Sequence, residues 1–118
     1  MMKEFVLIFR MDITTKAAQP SKEQKETYMQ QWMEWIEQIA SKDRLADGGN
    51  HFSRQGRVLK PGKQVFETPL ICDNNSVAGY IIVLAESLDE ATGIAEKCPI
   101  LNGQNTSVEI REVATPGE

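Results

Sequence analysis

The chain has 118 residues, of which 41% are hydrophobic and 25% are charged, and its formal net charge is -4. These values are typical of one globular domain and exclude a long disordered chain. Binding to nucleic-acid phosphates requires a concentrated basic surface, whereas the lysines and arginines here are scattered, so we expect no nucleic-acid partner.

No apolar run approaches the roughly 20 residues that cross a bilayer, so we expect no membrane partner. The short run FVLIF is flanked by Glu4 and Arg10, and no small-residue cleavage site follows it. Cys72 and Cys98 have neither CxxC spacing nor a nearby histidine. We therefore expect both to be buried thiols in a cytoplasmic protein, with no metal site and no cofactor.

The first two elements have clear patterns. The continuous apolar run at residues 5–9 predicts a strand that is covered on both faces or lies at the centre of a sheet. Pro20-Ser21 then predicts the start of a helix, with Ser21 as cap and Gln24 at the capping-box position.

One face of this helix is rich in large apolar side chains. Residues recur on it at intervals of three and four, namely Tyr28, Trp32, Trp35, Ile36 and Ile39, and two methionines, Met29 and Met33, widen it. We interpret the stripe as core. A ligand-stacking surface formed by Trp32 and Trp35 is the alternative.

The middle of the chain predicts strands and turns. A short strand begins at Leu45, and Gly48-Gly49 permits a bulge or a close approach of two backbones. Residues 57–59 and 63–72 then form the two arms of a hairpin, because Lys60-Pro61-Gly62 suits a type II turn. The second turn, DNNS at residues 73–76, leads into the apolar strand VAGYIIVLA.

The last third predicts a helix and a strand. Ser87 followed by Glu90 repeats the capping signature, and the helix then carries inward the residues Leu88, Ala91, Ile94 and Ala95. It ends by Cys98-Pro99, because a residue before proline avoids helical geometry. Residues 107–113 alternate polar and apolar, as a half-exposed strand does, and we expect residues 114–118 to be a frayed tail.

This order of elements predicts a single α+β domain over residues 1–118. We expect a ferredoxin-like antiparallel sheet with two helices on one face. In FVLIF and YIIVLA, the side chains that point to either face of the sheet are apolar. We therefore expect the face without helices to be buried as well. A second subunit is the simplest cover, which predicts a homodimer.

The sequence resembles the YCII-related proteins, in particular the branch named for a DGPF motif, over residues 2–113. The matching positions are Glu67-Thr68, Gly79-Tyr80, Asp89-Glu90-Ala91, Ala95 with Pro99, Glu109-Ile110-Arg111, and Gly48 after the first helix. The resemblance implies a dimeric α+β barrel. It also implies a relation to a few small lyase- or dehalogenase-type enzymes that act on muconolactone-like substrates.

Two features depart from that pattern. Gly62-Lys63-Gln64-Val65 stands where the family has Asp-Gly-Pro-Phe, and the first helix lacks the histidine of the YciI branch. The one histidine of the chain is His51, on the strand that follows the first helix.

These residues leave three functions open. The first is binding of a small organic molecule in a cleft between sheet and helices, with Trp32, Trp35, Arg57 and Tyr80 as ligand contacts. The second is an enzyme in which His51 is the acid/base and Asp47 or Glu67 its partner, because histidine titrates near neutral pH. The third is a regulatory module that contacts a protein partner. Structural roles compete with these: a solvent or dimer contact for His51, a salt bridge for Glu67 and a core position for Tyr80.

Overall fold

Six strands and two helices form the fold, and the computed structural model describes residues 1–117. The elements are β1 (Lys3–Asp12), α1 (Lys22–Ser41), β2 (Leu45–His51), β3 (Val58–Lys60), β4 (Gln64–Phe66), β5 (Asn75–Ala85), α2 (Leu88–Ala95) and β6 (Ser107–Glu112). Short 3-10 turns cover Lys16–Ala18 and Pro99–Asn102.

The main sheet has four antiparallel strands in the order β2-β5-β1-β6, and β3 and β4 form a separate hairpin. Without the hairpin, the chain order is strand, helix, strand, strand, helix, strand, with the first and third strands in the centre of the sheet. This is the ferredoxin-like arrangement, so the predicted fold class is confirmed.

The core lies between one face of this sheet and the two helices. Along the central pair, Phe5 is opposite Val83 and Leu7 is opposite Ile81, and all four side chains are buried. Both helices contribute to this same cluster, α1 through Trp35 and Ile39 and α2 through Ala91 and Ala95. The two helices therefore pack on one face, as predicted.

Both predicted helix starts are present. The Ser21 hydroxyl accepts a hydrogen bond from the Gln24 amide, and the Gln24 side chain accepts one from the Ser21 amide. The Ser87 hydroxyl accepts from the Glu90 amide. The inward position predicted for Leu88 is wrong, because its side chain is 55% exposed. Leu88 is the first residue of α2, and burial begins one turn later at Ala91.

The hairpin is shorter than predicted. Gly62 has a φ of +83°, as the second central position of a type II turn requires, but β4 ends at Phe66 instead of continuing to Cys72. Pro69 has no amide hydrogen to donate to a strand ladder. Glu67 and Thr68 therefore follow the hairpin strand and do not lie within it.

Three apolar side chains that were predicted to be covered are exposed. Met29 and Met33, on α1, are each 64% exposed, and Cys72 is exposed beside the turn that precedes β5. Met29 borders a cavity at the first half of α1 and does not belong to the core between the sheet and the helices. Of the predicted tail, residues 114–117 form no helix or strand, and Glu118 lies outside the described residues.

The second face of the sheet has no helix on it. Its central apolar side chains are only half buried, namely Val6, Ile8, Tyr80, Ile82 and Leu84. The molecule measures 44 × 42 × 19 Å, and its thin dimension matches one sheet with one helical layer. Neither helix in residues 1–117 has the length and apolar character needed to cross a membrane.

Two backbones approach closely at Gly49, as the Gly48-Gly49 pair predicted. Gly49 has a φ of +63°, and a Cβ atom there would lie 1.6 Å from the carbonyl oxygen of Tyr80 on β5. The pairing of β2 with β5 is irregular between Asp47 and Asn50, which accommodates this contact. A Cβ atom on Gly48 would meet nothing within 4 Å.

We therefore expect Gly49→Ala to lower the free energy of unfolding by roughly 2 kcal/mol or more, because it combines left-handed strain with a backbone clash. Gly48→Ala is the control and should change the free energy of unfolding by less than about 0.5 kcal/mol. Urea unfolding followed by tryptophan fluorescence measures both. Equal effects of the two substitutions would contradict the proposed role of Gly49.

Candidate functional site

A cavity of about 480 Å³ lies between the sheet, the first half of α1 and two loops. Its volume is within the range of roughly 300–1,000 Å³ that is usual for small-molecule sites. The residues that border it include Phe9, Asp12, Gln19, Lys25, Met29, Trp32, His51, Arg54, Ala78 and Ile100. The cavity lies on the helix-covered side of the sheet, and of the two helices only α1 borders it.

Aromatic packing forms one wall of the cavity. The ring of Trp32 meets Phe9 edge-on at 4.7 Å and Trp35 at 5.2 Å between ring centroids. Trp35 is buried, and its indole N–H donates to the carbonyl of Ile94 at 3.2 Å. Trp35 is therefore a core residue, whereas Trp32 belongs both to the packed stripe and to the cavity wall.

His51 lies at the end of β2, opposite Gly79 of β5. Gly79 shares its sheet face with the buried residues Ile81 and Val83, so His51 is on the helix-covered side. Its ring centroid is 5.3 Å from that of Trp32. This contact holds the imidazole at the cavity wall.

Arg54 follows β2 and reaches across to the loop after β1. Its guanidinium donates to the side-chain oxygen of Gln19 and, at 3.5 Å, to the carbonyl of Ile13. The Gln19 amide group in turn donates to the carbonyls of Asp12 and Thr15, at 2.8 and 3.1 Å. A chain of hydrogen bonds thus links Arg54 to the end of β1.

Asp12 is a buried carboxylate at the end of β1, with 6% of its surface exposed. One oxygen accepts hydrogen bonds from the amides of Thr15 and Thr14, at 2.8 and 2.9 Å, and the other accepts from the Asn105 side chain at 3.3 Å. The hydrogen bond from the Thr15 amide is the largest cause that lowers the pKa of Asp12 to about 2, against an ordinary value of 3.8. The ionised carboxylate therefore ties together two loops that border the cavity.

The structure separates the two predicted acid partners from His51. Asp47 is opposite Ile82, on the other face of the sheet, and its carboxylate accepts a hydrogen bond of 2.7 Å from the Gly49 amide. Glu67 forms a salt bridge of 2.8 Å with Arg57 on the hairpin, which is the structural alternative considered for it. Neither acid borders the cavity.

Two predicted ligand contacts also lie away from the cavity. Arg57 is engaged with Glu67 and is largely exposed. Tyr80 is on the uncovered face of the sheet, where its hydroxyl accepts a hydrogen bond of 3.4 Å from the Asn50 side chain. Of the seven residues selected from the sequence, the cavity brings together His51 and Trp32.

Sequence reasoning did not select Asp12, Gln19 or Arg54 as site residues. The spacing of Asp12 before Thr14-Thr15 is a local signal, since an aspartate often accepts hydrogen bonds from the amides two and three residues ahead. Arg54 lies in a polar loop without periodicity, and only the fold shows that it faces Gln19.

The remaining titratable groups of the described chain do not add a metal centre. Residues 1–117 contain no group of three histidine, cysteine or acidic side chains that could hold a metal ion. Burial raises the pKa of the Cys98 thiol to about 12, so this thiol stays protonated at neutral pH. Cys98 packs in the core as a small apolar side chain.

The model of the YCII-related domain matches residues 5–114. A search of the curated proteins gave no match.

The pKa of Asp12 predicts a change of stability in acid. Because its pKa in the folded protein is about 2, below the ordinary 3.8, its contribution is complete above about pH 4 and is lost as the pH falls from about 4 to about 2. We expect Asp12→Asn to lower the urea midpoint at pH 7 and to flatten its decline below pH 4. Glu26→Gln removes an exposed helical carboxylate and should leave both features unchanged. Parallel pH curves for wild type and Asp12→Asn would contradict this role.

Proposed function

Because the chain belongs to the YCII-related family, we propose that it is a cytoplasmic homodimer that binds a small organic molecule in the cavity between sheet and helices. The observation that carries this proposal is the composition of the cavity wall. Apolar and aromatic side chains and polar ones, His51, Arg54 and Gln24 among the latter, border the same space. Small-molecule sites typically have this composition.

The two free cysteines support the cytoplasmic part of the proposal. Disulfides form and persist in oxidising compartments, whereas free thiols are typical of reducing ones.

The uncovered face of the sheet supports the homodimer. Val6, Ile8, Ile82 and Leu84 form an apolar strip on the two central strands, and all four remain partly exposed in the structure of residues 1–117. A face-to-face pairing of two such sheets would bury both strips. Each chain, whose smallest dimension is 19 Å, would then have the sheet of its partner as a third layer.

The second candidate function is catalysis by His51. Its ring lies at the cavity wall and makes no hydrogen bond to another residue of 1–117, so both nitrogens are available to a substrate. A general base must lie within hydrogen-bond reach of the proton that it abstracts, and a substrate in the cavity would lie beside this ring. The partner proposed from the sequence, Asp47 or Glu67, would have to move to reach the imidazole.

The third candidate, a protein-interaction module, is supported by the hairpin. The segment 52–71 exposes six large apolar side chains: Phe52, Leu59, Val65, Phe66, Leu70 and Ile71. The radius of gyration is 15.6 Å, against about 13.5 Å for a compact domain of this length, because the hairpin extends from the body. Such a segment suits contact with another chain, including a second copy.

The binding proposal predicts that a thermal-shift screen against small organic acids, lactones and phenols finds compounds that stabilise the protein. A ligand at about 100 times its Kd adds roughly 2.7 kcal/mol to the folded state. His51→Ala should reduce the shift, whereas Glu67→Gln, on the hairpin, should preserve it. No stabilising compound, or a shift unaffected by His51→Ala, would count against the cavity as the binding site. Turnover of a bound compound that Glu67→Gln abolishes would favour the enzyme.

The homodimer predicts that a charge on the uncovered sheet face separates the subunits. Ile82→Glu should convert a dimer to a monomer in analytical ultracentrifugation, because an unpaired carboxylate in an apolar interface is costly. Leu88→Glu places the same charge at an exposed position on α2 and should leave the dimer intact. Circular dichroism checks that both variants remain folded. A monomeric wild-type protein, or a dimeric Ile82→Glu variant, would rule out this interface.

A further inference from the structure

We propose that the cavity selects organic anions, and that Arg54 and His51 hold the acid group of the ligand. This inference rests on the proposed binding function and specifies the chemical class of its ligand. The expected ligand has one carboxylate and an aromatic or aliphatic body.

Arg54 differs from the other arginines of the chain in its partners. The other four, Arg10, Arg44, Arg57 and Arg111, each pair with a glutamate carboxylate. Arg54 pairs with no carboxylate among residues 1–117, and its two protein acceptors, the Ile13 carbonyl and the Gln19 side chain, are neutral. A guanidinium has five N–H donors in a planar fork that matches a carboxylate. Arg54 therefore retains donors and an uncompensated charge at the cavity wall.

His51 supplies a second donor on the same wall. Its imidazole touches Trp32 and has no hydrogen-bond acceptor among residues 1–117. A neutral imidazole donates one hydrogen bond and a protonated one donates two. His51 is the last residue of β2, Arg54 lies three residues further along, and both border the same cavity. An acid group bound between them would accept hydrogen bonds from both.

The charge of the cavity lining is opposite to that of the whole protein. The lining contains two permanent cations, Lys25 and Arg54, and one carboxylate, Asp12. Both oxygens of Asp12 already accept hydrogen bonds from protein donors. The lining thus carries a net charge of +1 with His51 neutral, in a chain whose net charge is -4. This local excess of positive charge favours an anion over a cation.

The rest of the lining suits an apolar body. Trp32 and Phe9 present aromatic surface, and Met29 and Ile100 add flexible and aliphatic surface. Because apolar groups gain from leaving water, a ligand with an acid group at one end and a hydrocarbon body at the other matches both parts of the cavity.

Three probes with the same body test the charge preference: 3-phenylpropionate, 3-phenylpropionamide and 3-phenylpropylamine. Isothermal titration calorimetry on the wild-type protein should give a Kd for the acid that is roughly tenfold or more below that of the amide, and the amine should bind more weakly still. The basis is the strength of hydrogen bonds between charged partners. Added salt should weaken binding of the acid more than binding of the amide.

Arg54→Gln should raise the Kd of the acid roughly tenfold and leave that of the amide nearly unchanged, so the preference for the acid collapses. Lys63→Gln, in the exposed hairpin turn, removes the same charge far from the cavity lining and should preserve the preference. Thermal unfolding of each variant checks that it is folded. Should Arg54→Gln fail to fold, the comparison of probes on the wild-type protein still decides the charge preference.

The outcomes separate this inference from the binding proposal. If the amide or the amine binds as tightly as the acid, the anion preference is wrong while the binding function stands. If the acid is preferred but Arg54→Gln keeps that preference, the role of Arg54 is wrong. If none of the three probes binds at millimolar concentration, the inferred ligand, a carboxylate with an aromatic body, is wrong, and the thermal-shift screen decides the binding function separately.

Discussion

The pairing of β1 with β5 is the constraint on which the rest of the structure depends. Phe5 and Leu7 face Val83 and Ile81 across this ladder, and their side chains form the buried face on which both helices pack. Beyond Phe9 the register shifts, so that Arg10 is opposite Val77 and Ala78 is left over. A bulge of this kind bends a strand and redirects its side chains. Here the extra residue, Ala78, borders the cavity.

At the cavity end of the sheet, a network of polar side chains connects the loops. Asp12 accepts hydrogen bonds from its own loop and from Asn105, and Gln19 connects Asp12 to Arg54. Burying a carboxylate costs free energy unless its oxygens accept hydrogen bonds. Asp12 is buried, and both of its oxygens accept them. The network holds the cavity margins in place without filling the cavity. Arg54, which the network positions, remains without an acidic partner in residues 1–117.

The two faces of the sheet have different chemistry. The helix-covered face ends in a cavity with cations and aromatic rings, whereas the other face presents Ile8, Ile82 and Leu84 without a cover. Binding of a small molecule and association with a second chain therefore need not compete for the same surface. The separation also explains the placement of Asp47 and Tyr80, because side chains alternate between faces along a strand. A sequence neighbour of a cavity residue can thus lie on the opposite side of the sheet.

The sequence by itself determined the order of the elements, both helix caps, the central strands and the ferredoxin-like class, because caps and hydrophobic periodicity act over a few residues. Of the site residues predicted from the sequence, His51 and Trp32 border the cavity. The tertiary structure alone decided that these two border the same cavity as Arg54 and Asp12, while Asp47, Glu67 and Arg57 lie elsewhere. The hairpin was predicted too long, because its second strand ends before Pro69, which cannot donate a hydrogen bond to a strand ladder. Contacts between loops far apart in the chain leave no periodic pattern, so only the folded backbone shows which polar side chains converge.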